Sequence, residues 1–423
     1  MDRNIQPTYN PLTEVKIPDI KEYTLKNGIK VYAVRATGAE VIRVDVSFGA
    51  GNWYQPSPLI AAMTNALMRE GAGKYNAHQI AENIDYYGSH LQVHCDKDNA
   101  GFIAYTLSKY FENTLSILND IVREPHFDSN ELDVLVMKSR QNFKIENQKV
   151  SVISRRVLMK NLFGADNPYG ESLTEEQYNS VSLDEIKEYF NQYYSNKNCS
   201  ILISGFVTDE HIKLIDKYFG DNFGNYNNSE PGYILKSSDT KFNYSEKDGA
   251  VQSSVRFGKP LINLTSSDYP KLQVVNTLLG GYFGSRLMKN IREEKGYTYG
   301  IGSVLVSLKH SGFFTIISEV GADVCKSAVE EINKEIDILC NTLVGQDELM
   351  LVKNYMMGDL ARNLDGAFNI AETVKSVIDF GFGAEFFKYQ QECIMNITAE
   401  EIRFLAQKYL SKESMYTAVA GRY

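Results

Sequence analysis

The sequence predicts an α+β protein made of two homologous α/β-roll domains, each a largely antiparallel sheet with helices packed on one face. Three observations lead there. Part of the chain is written twice, strand-like alternation between turn signals recurs in both halves, and helical periodicity follows the strands at matching places.

The repeat is the firmest of the three. Residues 182–205 read SLDEIKEYFNQYYSNKNCSILISG and residues 398–421 read TAEEIRFLAQKYLSKESMYTAVAG, at a constant offset of 216. Each copy opens on a Ser or Thr with an acid three residues on, a helix-capping pattern. Ile186 and Ile402, and Tyr193 and Tyr409, then fall at equal places, and each copy ends in an apolar strand closed by Gly205 or Gly421. Taken in order, YTLKNGIKVYAV predicts two strands about a turn at Asn27-Gly28. VIRVDVSFGAG (41–51) and VQSSVRFGKP (251–260) alternate as half-buried strands do. SPLIAAMTNALMREGAG (57–73) predicts a helix with Leu59, Ile60, Met63, Ala66 and Leu67 on its apolar face. FENTLSILNDIV (111–122) and CKSAVEEINKEIDILC (325–340) show helical spacing, and long helices are expected near 130–162 and 346–380. Domains are placed at 1–225 and 241–423, with the Asn-, Ser-, Pro- and Gly-bearing stretch 226–240 as linker.

Bulk properties exclude several functions. A net charge of −9 and the lack of any Lys/Arg run argue against nucleic acid. No run of eighteen apolar residues exists, so no membrane span is expected. The N-terminal segment lacks the basic-then-apolar pattern of a secretory signal, and five scattered cysteines contain no Cys-x-x-Cys pair. Both predict a cytoplasmic protein with free thiols. There is no phosphate-cradling Gly-x-x-x-x-Gly-Lys loop and no Gly-x-Ser-x-Gly nucleophile turn. His90 and His94 are four apart, a zinc spacing on a helix, but GSHLQVHCDKD reads as a strand after a glycine, so solvated histidines are the expectation.

One stretch stands out as a site: GGYFGSRLMKNIREEKGYTYG, residues 280–300. It predicts a glycine-permitted turn, a helix from about Ser285 to Glu294, and a turn at Gly296 into a strand. Arg292 then lies near the helix end and Tyr299 at the strand start, where a turn brings them together. On the residues alone, Arg292 beside Glu293 and Glu294 also reads as a solvated cation favoured by the helix dipole.

The segment LLGGYFGSRLMKNIREEKGYTYGIGS resembles the C-terminal-half signature of the pitrilysin, insulin-degrading enzyme and mitochondrial processing peptidase superfamily, the inverzincin zinc peptidases. TLKNGIKVYAV, FGAGNWYQP, LFGADNPYG and the repeated halves carry the same resemblance over nearly the whole chain. It implies a metallohydrolase-like fold of the LuxS and processing-peptidase type. It also implies that Arg292 and Tyr299 contact peptide and developing oxyanion. The zinc-binding His-x-x-Glu-His of active members falls here on Ala62, Asn65 and Ala66, and the further zinc-binding Glu on Gln141 or Asn142. A methyl cannot ligate zinc, and an amide cannot take a proton from bound water. The chain is therefore similar to the zinc-less subunit that keeps only the Arg/Tyr pair. No cofactor is expected in it. A zinc-bearing homologous subunit, or self-association, is the implied partnership, around a chamber where an extended peptide joins a sheet edge. A catalytically inactive scaffold or peptide-binding protein is the alternative.

Overall fold

In the computed structural model, which describes residues 12–226 and 230–423, the repeat in sequence is a repeat in topology. The first half runs β1 (Ile20–Thr24), β2 (Lys30–Arg35), β3 (Val41–Phe48), α1 (Ile60–Met68), the short pair β4 (Gly71–Ala72) and β5 (Tyr75–Asn76), α2 (Ala77–Tyr86), β6 (His90–Cys95) and β7 (Ala100–Leu107). Then come α3 (Phe111–Arg123), α4 (Ser129–Glu146), α5 (Val150–Phe163), α6 (Leu183–Tyr193), β8 (Cys199–Gly205) and α7 (Asp209–Phe219). The second half has β9 (Phe242–Glu246), β10 (Gln252–Leu261), α8 (Tyr269–Asn276), β11 (Thr298–Leu308), β12 (Ser311–Gly321), α9 (Cys325–Asn341) and α10 (Gln346–Asn363). It closes with α11 (Ala367–Ile378), α12 (Glu385–Asn396), α13 (Ala399–Leu410) and β13 (Tyr416–Gly421).

The sheets have the orders β1-β2-β8-β3-β7-β6 and β11-β12-β10-β13-β9. Read backwards, the second matches the first strand for strand without β1. In each, one parallel pair (β2 with β8, β9 with β13) stands among antiparallel ones. The repeated helices α6 and α13 start at Ser182 and Thr398, whose hydroxyls accept amides of the first turn. The Asn27-Gly28 hairpin forms with a loop of residues 25–29, and Asn27 ties it to the carbonyls of Phe219 and Asp221.

Three expectations need correction. The long helix expected near 130–162 is two, α4 and α5, and that near 346–380 is α10 and α11. The second break has a cause in Gly366 at φ +75°. After each break the chain crosses over: α5 packs on β10 and β13 of the second sheet, and α11 on β2 and β8 of the first. Consequently β3 and β10 are not half-buried. On β3, Ile42, Val44, Val46 and Phe48 enter one core, while Arg43, Asp45 and Ser47 on the other face are covered by α11. On β10, Val255 and Phe257 enter the second core, while Ser254 and Arg256 face Ser154 of α5. Each sheet thus carries its own helices on one face and a helix lent by the other half on the opposite face.

A second link joins the halves. The β11–β12 hairpin tip inserts His310 against Trp53, stacked at 4.2 Å and 13°. The Lys309 amide donates to Asp98 Oδ2 (2.8 Å), and the Tyr169 hydroxyl, from the segment LFGADNPYG, donates to Asp98 Oδ1 (2.5 Å). Burial pushes the Asp98 carboxyl up, against the two donors that hold it down. The expected linker 226–240 lies partly outside the described residues. Its described end runs along α5, where Lys236 and Ser238 amides donate to the Phe163 and Asn161 carbonyls. The N-terminal stretch read for a signal also lies outside the described residues, apart from its end. No helix among the described residues is long and apolar enough to cross a membrane. All five cysteines are free, three of them buried.

Candidate functional site

The glycine-rich segment is held by unusual helical winding. α8 passes into a π-helical turn at Thr277–Gly281, and the helix after the glycine turn is π-helical over Met288–Glu294. Such winding leaves amides bonded five residues back, as Lys295 is to the Asn290 carbonyl (2.9 Å), and it recurs at functional sites. Gly280 permits close approach to β11: a Cβ there would stand 2.6 Å from Ser303 Oγ and 2.7 Å from its amide. Gly296, at φ +66°, turns the chain out of the helix into β11.

The helix is clamped from behind. Arg286 makes a two-pronged pair with Glu348 of α10 (2.9 and 2.8 Å), and Asn290 donates to Glu335 (2.7 Å) and Glu331 (3.1 Å) of α9. Burial pushes the Glu335 carboxyl up, and the Asn290 amide opposes it. Sequence reading passed over these residues. Arg286 sat in the quoted stretch, but its partner lies 62 residues away.

The structure brings Arg292 and Tyr299 together. Arg292 Nε donates to the Tyr299 carbonyl (3.1 Å), and its guanidinium lies over the Phe283 ring, 4.5 Å from the centroid. The Tyr299 side chain is 92% exposed. Both border a cleft of about 790 Å³, shared with Gln252, Glu293, Tyr297 and Asp323. Neither the Arg292 terminal nitrogens nor the Tyr299 hydroxyl has a hydrogen-bond partner among the described residues, so both residues bring unpaired donors to the cleft.

The first half offers the reverse. Ala62 and Ala66 present methyls from α1. Asn65 is fully buried, and its amide is occupied: Nδ2 donates to the His94 (2.7 Å) and Gly101 (3.1 Å) carbonyls, and Oδ1 accepts from the Tyr194 hydroxyl (3.0 Å). It ties α1 to β6, β7 and the end of α6. Gln141 and Asn142 are exposed on α4. His90 and His94 lie on one strand, where four residues span about 13 Å, too far to share an ion. His90 is exposed. His94 is half-buried, and burial lowers its pKa. Among the described residues no three His, Cys, Asp or Glu side chains stand close enough to hold a metal.

Comparison with known proteins bears on the family and the fold. Residues 30–175 match the family model described as Insulinase (Peptidase family M16), and residues 180–356 match that described as Peptidase M16 inactive domain. The chain is similar to an uncharacterized zinc protease, YmxG, of Bacillus subtilis, at 25% identity over 82% of this chain and 85% of that one. It is similar to a non-peptidase homolog, YmxG, of Helicobacter pylori, at 24% over 70% and 66%. The mitochondrial-processing peptidase subunit beta of Dictyostelium discoideum matches at 22% over 99% and 91%. Among solved structures, a peptidase M16 inactive domain from Pseudomonas fluorescens superposes with a TM-score of 0.86, at 20% identity over 96% of this chain and 98% of that one.

Proposed function

Since this chain belongs to the M16 peptidase family as a homologue without the zinc motif, we propose that it is the non-zinc subunit of a two-chain zinc peptidase that cleaves peptides. Arg292 and Tyr299 are its contribution. One asymmetry carries the reading: free hydrogen-bond donors face an open cleft in the second half, while α1 of the first has no metal donor. A guanidinium and a phenol O–H stabilise negative charge growing on a peptide carbonyl oxygen without moving a proton. They are complementary to a metal-and-water half, and a zinc-bearing homologue would supply that half and its zinc. Strand β11, which begins at Thr298, is an edge of its sheet, so a peptide drawn out along it can pair with its outer side next to Tyr299. That relatives include processing-peptidase subunits named alpha and beta supports a two-chain arrangement.

Mixing the purified chain with a zinc-bearing homologue tests this. Cleavage of an unstructured peptide should need both chains. Arg292→Ala and Tyr299→Phe should each lower it by about 100-fold, the scale for one lost oxyanion donor, with the fold intact. A second reading, a catalytically inactive scaffold or peptide-binding protein, is favoured by the non-peptidase homologue. Unchanged cleavage in both variants, or none with any zinc-bearing homologue, would select it.

A further inference from the structure

The helix exchange builds the same seat twice, and the two seats differ in charge. In the first, between β3 and α11, Arg43 bonds Asp45 (3.2 Å) and Glu372 (2.5 Å), and Lys375 approaches Asp45 (3.5 Å) and Ser47 Oγ (2.6 Å). Two cations and two anions close on each other.

The second seat lies between β10 and α5. Ser204 and Ala420, 216 apart in the repeat, pair with Arg43 and Ser254, so β3 and β10 correspond at an offset of 211. Asp45 is thereby matched by Arg256. The crossing helices correspond through Phe163-Gly164 and Phe380-Gly381, both glycines at positive φ (89° and 81°), an offset of 217. Glu372 is matched by Arg155, and Lys375 by Leu158. Two arginines therefore stand where the first seat has two carboxylates. Arg256 Nε donates to Ser154 Oγ (3.2 Å), itself bonded to Ser254 (2.8 Å). Neither arginine has an ion pair among the described residues. The terminal nitrogens of Arg256 are not sealed from solvent, and Arg155 is exposed. Burial, and then the Arg155 charge, pull Arg256 down to about 10. The exposed Glu319 on β12 is the opposing charge.

We propose that Arg256 and Arg155 form a subsite for a carboxylate of the bound peptide, either its C-terminal group or an acidic side chain. This rests on the peptide-binding reading above. A planar guanidinium fork matches a carboxylate in two-pronged geometry, and a half-buried one without an anion gains most from it. The spacing fits. Arg256 pairs with Ile317, and Ile317 with Gly302, three residues from Tyr299. Two strands across and three residues along make about 14 Å, or about four residues of extended peptide.

The test uses the isolated chain and fluorescent decapeptides without acidic residues, one with a free C-terminal carboxylate and one amidated, compared by anisotropy at low salt. A third, amidated peptide carries one internal Glu. The free acid should bind about tenfold tighter than the amide, a difference of about 1.4 kcal/mol. The gap should close in Arg256→Gln and narrow in Arg155→Gln, whose exposed position spares the fold. Recovery of affinity by the Glu peptide would assign the carboxylate to a side chain, and no recovery would assign it to the C-terminus. Equal binding of all three peptides, or a gap that survives both substitutions, would overturn the subsite. If that equal binding still fell with Arg292→Ala, the peptide-binding reading would stand alone. No binding of any peptide would remove both.

Discussion

Asn65 is buried on α1, and its surroundings suit an amide and reject a carboxylate. Asn65→Asp changes shape little but puts an oxygen where Nδ2 now donates to two carbonyls, at 2.7 and 3.1 Å. Ionised, that oxygen is a buried charge with only the Tyr194 hydroxyl to answer it, a loss of about 3–5 kcal/mol. Protonated, it keeps one donor and leaves the other carbonyl unpaired, about 1–3 kcal/mol. The folded-state pKa of the introduced carboxyl is therefore raised above its unfolded value of about 3.9. With that sign, the variant is least impaired near the unfolded pKa. It loses about 1.4 kcal/mol per pH unit as pH rises, until the folded pKa is passed. Asn65→Ala removes the same bonds without a titrating group, so its deficit should not change with pH. Urea unfolding of both variants and the parent at pH 5, 6.5 and 8 measures this. An Asp variant within about 0.5 kcal/mol of the parent at pH 8, or equal pH slopes for Asp and Ala, would refute the argument.

Other outcomes follow from the same contacts. Gly280→Ala should cost about 1–3 kcal/mol in urea unfolding, because its methyl meets the Ser303 amide of β11, which cannot give way, as well as the Ser303 hydroxyl. Tyr169→Phe removes a donor to Asp98 and should raise that carboxyl further. The variant's deficit, about 1–3 kcal/mol at neutral pH, should therefore shrink on acidification as Asp98 takes up its proton, which paired denaturation curves would show.

The duplicated halves, the hairpin at Asn27-Gly28 and the Arg292–Tyr299 pair were legible because each is written in neighbouring residues or at a fixed period. Alternation on β3 was legible too, but its meaning was not. Arg43 and Asp45 have the pattern of a wet face, and only α11, arriving from more than 300 residues away, makes them buried. The breaks at 147–149 and 364–366 went unread, because helical spacing continues on both sides of them and the direction the next helix takes depends on which sheet has an uncovered face.

The amino-acid order alone determined that α1 has no metal donor, since alanine methyls and an amide stay what they are in any fold, and that a cation and a phenol lie one turn apart near Gly296. Tertiary structure decided which groups are free to act. Arg286 is spent on Glu348 and Asn65 on three partners, whereas Arg292 and Tyr299 keep their donors open to the cleft. The physical reason is that a side chain's chemistry is intrinsic, while its availability depends on competing partners brought in from distant parts of the chain.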